Sequence, residues 1–565
     1  MPGKNKIKII LLAFLFLTLP LLVRADELLS EREFFVNSSF DLNRREKITT
    51  VLQRVSNQIY FYLEKQWWES LDIEKRKEIN IGIDELSKEF ESNIYPILTS
   101  NFGSEWRPGI DGDNKITVLV HPMVNEAAGY FSPGDEYPTA QVRTSNQREM
   151  VYLSPGSIAS PARKSLLAHE FTHLITFNQK DKIYGASEEI WLNEGRAEYA
   201  PTLLGYDKQY EDSNLQQRVK NFIQSPQDSL TEWQGKSSDY GVLNLFIQYL
   251  VDHYGKGVLI DSLHSEKIGI SSLDEALKKN GFKETFSQIF TDWTVTIFFN
   301  NCAPSPKYCY LNENLRNFKV TPFIYFLPTA GESTLSVGSL TKEWAGNWQK
   351  IIGGQDSLKL EFNGISKNNF KIPYIVENSS GVFSINFLQL DQSQKGTIYL
   401  QDGKIKSLTV IPSAQDKTSN FTDNEPSYQF FWSISSEQST EEATIKALEE
   451  RIASLKATIV ALQAQIAAAL GKNINTACSS IESNLYFGMK NNQDVGCLQQ
   501  FLKNQGPEIY PEGLITGNFG NLTYAAVVRF QEKYKAEILT PLGFEKGTGF
   551  VGQSTRVKIN QFLGK

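Results

Sequence analysis

The chain has 565 residues, too many for one hydrophobic core, so several domains are expected. Hydrophobic residues make up 41% and charged residues 21%, ordinary for a soluble globular protein, and 12% aromatics exclude general disorder. A net charge of −7, from 57 basic and 64 acidic residues, leaves no basic footprint and excludes nucleic acid as a partner.

Lys4, Lys6 and Lys8 precede an apolar run from Ile9 to Leu22, broken only by Thr18 and Pro20. Val23 and Ala25 then supply small residues where a signal peptidase cuts. Residues 1–25 are therefore expected to be a signal peptide, with Asp26 the mature start, in a secreted or cell-envelope protein. The rival reading is an uncleaved anchor, but the run is shorter than the roughly 20 residues that span a bilayer.

Residues 26 to about 115 read as mainly helical. Leu52, Val55, Ile59 and Leu63 recur at helical spacing, as do Ile83, Leu86, Phe90 and Ile94. Ile116–Val120 and Glu149–Leu153 read as strands. Pro161 opens a helical stretch to about Asn178, and helical patterns continue to about residue 299. From about 318 to 435 short alternating runs take over: Leu358–Phe362, Val382–Leu388 and Ile405–Val410, separated by Gly, Asn and Asp. They predict an all-β sandwich. Ile445, Leu448, Ile452, Leu455, Ile459, Leu462 and Ile466 then form a heptad seam. A parallel homodimeric coiled coil and a single spacer helix both fit it. A small helical domain closes the chain. Cys302 with Cys309, and Cys478 with Cys497, form two local pairs, which in an exported chain suggest two disulfides.

The chemistry centres on His169-Glu170-Phe171-Thr172-His173. Residues four apart on a helix share one face, so His169 and His173 can both aim a ring nitrogen at one ion. Glu170 lies about 100° further round, within reach of a water on that ion. Zinc needs a third protein ligand and an open position. The third ligand is expected from a second helix, and Trp191-Leu-Asn-Glu-Gly-Arg-Ala-Glu-Tyr199 supplies Glu194. Glu198, four residues on, falls on the same face and is expected to accept a ring N–H from a ligating histidine. Zinc would acidify the water and polarise a carbonyl, with Glu170 as general base and acid. Asp111-Gly-Asp-Asn114 has the alternating oxygens of a calcium site and equally the composition of a polar turn before a strand, the preferred reading.

These residues carry a resemblance. HEFTH is similar to thermolysin-type proteases, and WLNEG to zinc aminopeptidases. Together with Phe102–Asp113, Gly129–Ser132 and Ser145–Tyr152, the chain most resembles the hyicolysin family of secreted bacterial metallopeptidases, over about residues 30 to 300. The resemblance implies an α+β zincin-type catalytic domain with Zn2+ as cofactor and a protein or peptide substrate. The Gly-x-Met-Glu-Asn motif of the aminopeptidases has no counterpart, which favours an endopeptidase. Tyr240 sits where related peptidases place an oxyanion-stabilising tyrosine; His253 is the competing donor.

Near the C-terminus, Asn492–Leu502, Gly513–Gly520 and Thr523–Gln531 resemble the three-helix peptidoglycan-binding-like domain of cell-wall hydrolases, and Gly549–Arg556 partly repeats its Gly-x-x-Thr-Gly theme. Peptidoglycan is thereby implied as a partner. The expected architecture is multidomain: signal peptide 1–25, metallopeptidase domain 26–315, β-sandwich 316–435, coiled-coil or spacer helix 436–472, and peptidoglycan-binding-like domain 473–565. Two other functions remain open, a non-catalytic wall-bound scaffold or adhesion protein and a zinc peptidase acting on peptidoglycan stem peptides.

Overall fold

The computed structural model describes residues 26–124, 127–328, 333–353, 358–365, 369–400, 405–436 and 478–564. The expected signal peptide and the heptad seam lie outside them. The chain is multidomain and mixes helices with several sheets. It divides into two compact units, residues 1–178 and 179–565. Among the described residues no helix is long and apolar enough to cross a membrane.

The first unit is built on a six-stranded sheet in the order β1-β2-β3-β4-β6-β5. Its strands are β1 (Glu31–Phe35), β2 (Lys47–Val55), β3 (Ile59–Glu64), β4 (Ile116–Val120), β5 (Gly129–Phe131) and β6 (Met150–Leu153). β3, β4 and β6 run parallel, and β5 closes one edge antiparallel to β6. The helical reading of Leu52, Val55, Ile59 and Leu63 is corrected here. They lie on a hairpin, with Val51 opposite Leu63 and Leu52 opposite Tyr62. Spacings of three and four arose because the four residues straddle a turn, where the Ser56 N–H donates to the Ile59 carbonyl at 3.0 Å. Thr49-Thr50-Val51 and Tyr60-Phe61-Tyr62 are strong strand formers. β3 is buried at every position, so it shows no alternation to betray it.

Helices α1 (Lys65–Ser70), α2 (Ile73–Glu89), α3 (Tyr95–Phe102), α4 (Pro155–Ala159) and α5 (Arg163–Thr176) complete this unit. Asp72 caps α2, accepting from the Lys75 N–H at 2.8 Å, and Ile83, Leu86, Phe90 and Ile94 are buried as their spacing predicts. α5 lies on β5 and β6 and is wedged by Phe171, whose ring meets Phe90 at 4.9 Å and Tyr95 at 5.6 Å.

The second unit begins with α6 (Ile190–Leu203), α7 (Asn214–Gln224), α8 (Ser237–Tyr254), α9 (Lys256–Leu263), α10 (Gly269–Lys279) and α11 (Phe286–Phe299). A disulfide joins Cys302 to Cys309. Eleven strands follow: β7 (Phe323–Leu327), β8 (Ser333–Lys342), β9 (Gln349–Gly353), β10 (Leu358–Gly364), β11 (Phe370–Lys371), β12 (Pro373–Asn378), β13 (Phe383–Phe387), β14 (Lys395–Leu400), β15 (Ile405–Val410), β16 (Ser413–Ala414) and β17 (Ser427–Ser436). They form sheets ordered β14-β10-β17-β8 and β13-β12-β15-β9-β7, with a small β11–β16 pair. Leu360, Phe362, Phe430 and Trp432 of one sheet share a core with Ile351, Ile375, Leu408 and Val410 of the other. The helices are joined to these sheets by two buried tryptophans. Trp348 Nε1 donates to the Thr294 carbonyl at 2.8 Å, and the Trp344 ring meets Phe286 at 4.9 Å and Phe290 at 5.4 Å.

Glu343, immediately ahead of Trp344 in the chain, is buried. Burial pushes its carboxyl up to about 7; the Asp416 and Lys417 N–H groups oppose the rise, and the charges of Asp416 and Glu425 add to it. A carboxyl that binds its proton more tightly when folded contributes its full share at low pH. That share is lost as pH rises from its ordinary value of 4.5 through about 7. Chemical unfolding at a series of pH values should therefore show stability falling across that window, and Glu343→Gln should remove part of the slope. An identical slope in the variant would assign the effect to other groups.

The C-terminal segment holds α12 (Gln493–Asn504), α13 (Asn521–Lys533), the short α14 (Lys535–Ile538) and α15 (Gln553–Phe562), and a disulfide ties Cys478 to Cys497 on α12. The sequence repeat is a structural repeat. Buried Gln499 accepts from the N–H groups of Thr516 (2.7 Å) and Gly517 (2.9 Å) and donates to the Asn518 carbonyl and Thr523 hydroxyl, both at 2.8 Å. Buried Gln531 makes the same bonds to Thr548 (2.8 Å), Gly549 (2.9 Å), Phe550 (2.7 Å) and Thr555 (3.0 Å). The Thr-Gly turns thus satisfy a buried amide and serve the fold. The second turn also meets the sheets: the Gly338 N–H donates to the Thr548 carbonyl at 3.1 Å, and Phe431 meets Phe544 at 4.7 Å.

Candidate metal centre

α5 brings His169 and His173 onto one face. Their Nε2 atoms are 3.2 Å apart and the rings are nearly perpendicular, at 81°. Two tetrahedral ligands at roughly 2.0–2.1 Å from one zinc ion stand about 3.3 Å apart, so this pair fits a shared ion. Among the described residues, the group of His, Cys, Asp and Glu able to hold a metal is His169, His173 and Glu194, with one ligand atom from each within 4.8 Å of the others. Two imidazoles and a carboxylate form a donor set suited to zinc with a position left open.

Glu170 is buried beside this pair. Strand β5 leaves room for it through Gly129. A Cβ there would lie 2.9 Å from Glu170 Oε1 and 2.7 Å from the Tyr152 carbonyl, so any larger residue would displace the carboxylate or the strand.

Glu194 sits near the start of α6. The helix is fixed by buried Trp191, whose Nε1 donates to Glu189 Oε2 at 2.7 Å, and by buried Arg196, which pairs with Glu188 at 2.8 Å. Gly195 lets α6 close on α8, since a Cβ there would already touch Ile247 at 3.1 Å. The two helices lie side by side in the same direction: Asn244 Nδ2 donates to the Glu198 carbonyl at 3.1 Å, and one turn on Gln248 Nε2 donates to Thr202 Oγ1 at 2.6 Å.

Glu198 is fully buried and receives both prongs of Arg218, each at 2.6 Å, and Asn214 Nδ2 at 3.1 Å. Arg218, on α7, gives no sign in the sequence, because nothing there brings α7 onto α6. Burial works against its charge, but Glu198, then Tyr240 and Glu194, outweigh that and raise its pKa. Its guanidinium lies over the Tyr240 ring at 4.6 Å, and Trp233 meets the same ring edge-on at 4.8 Å. Tyr240, in the first turn of α8, is therefore held beside the residues that surround Glu194 and Glu198.

The other sequence candidates are engaged elsewhere. His253, near the end of α8, donates through Nε2 to the Cys309 carbonyl at 2.9 Å, and burial lowers its pKa. Asp113 accepts from the Tyr60 hydroxyl at 2.8 Å and Asp111 pairs with Arg148 at 3.2 Å, while the Asp113 and Lys115 N–H groups fold back onto the two carboxylates. That is a closed polar turn.

A family profile described as a putative peptidoglycan binding domain matches residues 491–541, which span α12, α13 and the residues just after them. No curated protein matches the chain.

Proposed function

We propose that this chain is an exported zinc-dependent endopeptidase of the hyicolysin-like, zincin type, kept near the cell wall by its C-terminal domain. The observation that carries this reading is the convergence of His169, His173 and Glu194, with buried Glu170 next to the first of them. The family match over residues 491–541 supports the wall association.

When bound, zinc supplies Lewis acidity at a peptide carbonyl and acidifies water. His169, His173 and Glu194 would hold it. Glu170 is the base that would take a proton from the water attacking the carbonyl and return it to the leaving amide nitrogen. Tyr240 donates to the carbonyl oxygen as negative charge develops there, its ring steadied by Trp233 and Arg218. Glu198, fixed by Arg218, accepts a ring N–H from a ligating histidine. A second reading keeps this chemistry and makes the substrate a peptidoglycan stem peptide, favoured by the same family match.

The purified full chain is expected to carry about one zinc, to lose activity with a chelator and to regain it when zinc is restored. Parallel digests of an unfolded protein and of isolated cell wall separate the two substrates. A metal-free chain with full hydrolytic activity overturns the zinc mechanism. A chain that sediments with cell wall but cleaves neither substrate in the presence of zinc leaves the scaffold function.

A further inference from the structure

Three charged side chains meet at α6. Those of Lys180, Glu188 and Arg196 are 0%, 1% and 0% exposed. Arg196 Nη1 pairs with Glu188 Oε2 at 2.8 Å, and Lys180 Nζ lies 3.6 Å from the same oxygen. The other Glu188 oxygen accepts from the Gly269 N–H at 2.7 Å and the Glu189 N–H at 3.0 Å. Arg196 Nη2 donates to Ser262 Oγ on α9 at 2.8 Å. Lys180 Nζ donates to the Ser262 carbonyl at 2.7 Å and to the Lys267 carbonyl. All of these residues belong to the second unit. The cluster therefore ties the first turns of α6 to α9 and to the loop between α9 and α10.

Arg196 follows Glu194 by two residues, about 200° round a helix, so the two side chains leave α6 on opposite faces. The cluster grips the face turned away from Glu194. A side-chain tip lies about 6 Å from a helix axis, so turning α6 by about 20° would carry the Glu194 carboxylate roughly 2 Å, the length of a zinc–oxygen bond. Buried ion pairs are a poor source of stability, because the cost of desolvating the charges offsets most of their attraction. They do demand one geometry, since a displaced partner strands a buried charge. Burial pulls the Lys180 amine down to about 8 against the opposing charge of Glu188, so it keeps its proton at neutral pH.

We propose that the Lys180–Glu188–Arg196 cluster sets the rotation of α6 and so places Glu194 for zinc, with Glu188 the central positioning residue, an inference that rests on the zinc-peptidase reading above. The affinity of the metal centre then depends on residues that never touch the ion.

The test is the zinc affinity of the full chain, read by competition with a chromophoric chelator, beside thermal unfolding of the metal-free form. Glu188→Gln should weaken zinc binding by about tenfold or more, the usual effect of removing an outer partner of a metal site. Ser262→Ala, which takes away only the hydroxyl that Arg196 Nη2 meets, should weaken it less. In a Glu194→Ala background, where the ligand itself is gone, Glu188→Gln should weaken zinc binding no further. A cluster that only stabilises the fold would instead lower the unfolding temperature and leave the affinity of the folded chain as it was. Zinc affinities equal to wild type in both Glu188→Gln and Ser262→Ala, or the same loss with Glu194 absent, overturn the positioning role alone. A wild-type chain that binds no zinc overturns the peptidase reading, and this inference with it.

Discussion

Glu170→Gln is expected to keep its zinc and its fold while losing about 10²–10⁴-fold in peptide hydrolysis, the usual contribution of a general base. The amide matches the carboxylate in shape and fits the space that Gly129 leaves, so packing gives no reason for the helix to move. It has no lone pair basic enough to take the proton from water. The proposed zinc ligands, the neighbouring His169, His173 and Glu194, are not altered. The measurement is zinc content together with kcat on the same preparation. A fully active variant would make Glu170 a packing residue and remove the proposed mechanism.

Glu194→Gln should give the opposite pattern. An anionic oxygen ligand becomes a neutral amide, so zinc affinity should fall, by at least the roughly tenfold seen when outer partners of a metal site are removed. Activity measured with excess zinc should recover further than activity measured without it. Zinc competition with a chromophoric chelator reads the affinity directly. If the variant bound zinc as tightly as wild type, the third ligand would lie elsewhere and Glu198 would be the first alternative. Its bidentate bond with Arg218 makes it a costly substitute, because ligation would strand a largely enclosed guanidinium.

Much of the candidate site was legible before any fold was known. The spacing of His169 and His173 depends only on the helical repeat, and α5 forms where Pro161 and the apolar run after it indicate. The two disulfides followed from local pairing of cysteines, and Ile83, Leu86, Phe90 and Ile94 are buried as their period requires. These are short-range features, fixed by residues close together in the chain.

What the sequence could not determine were features that depend on which elements meet. Leu52 to Leu63 carried helical spacing, yet strand pairing buried β3 on both faces and erased the alternation that marks a half-exposed strand. Arg218 became part of the site only because α7 lies against α8, at a contact where a Cβ on Gly241 would come within 2.5 Å of the Phe222 nitrogen. The Thr-Gly turns near the C-terminus had a readable motif but no readable purpose, until buried Gln499 and Gln531 showed that the motif satisfies an amide. Periodicity and spacing record what a residue does within its own element; long-range packing, with the burial and pairing it imposes, decides which elements share a site.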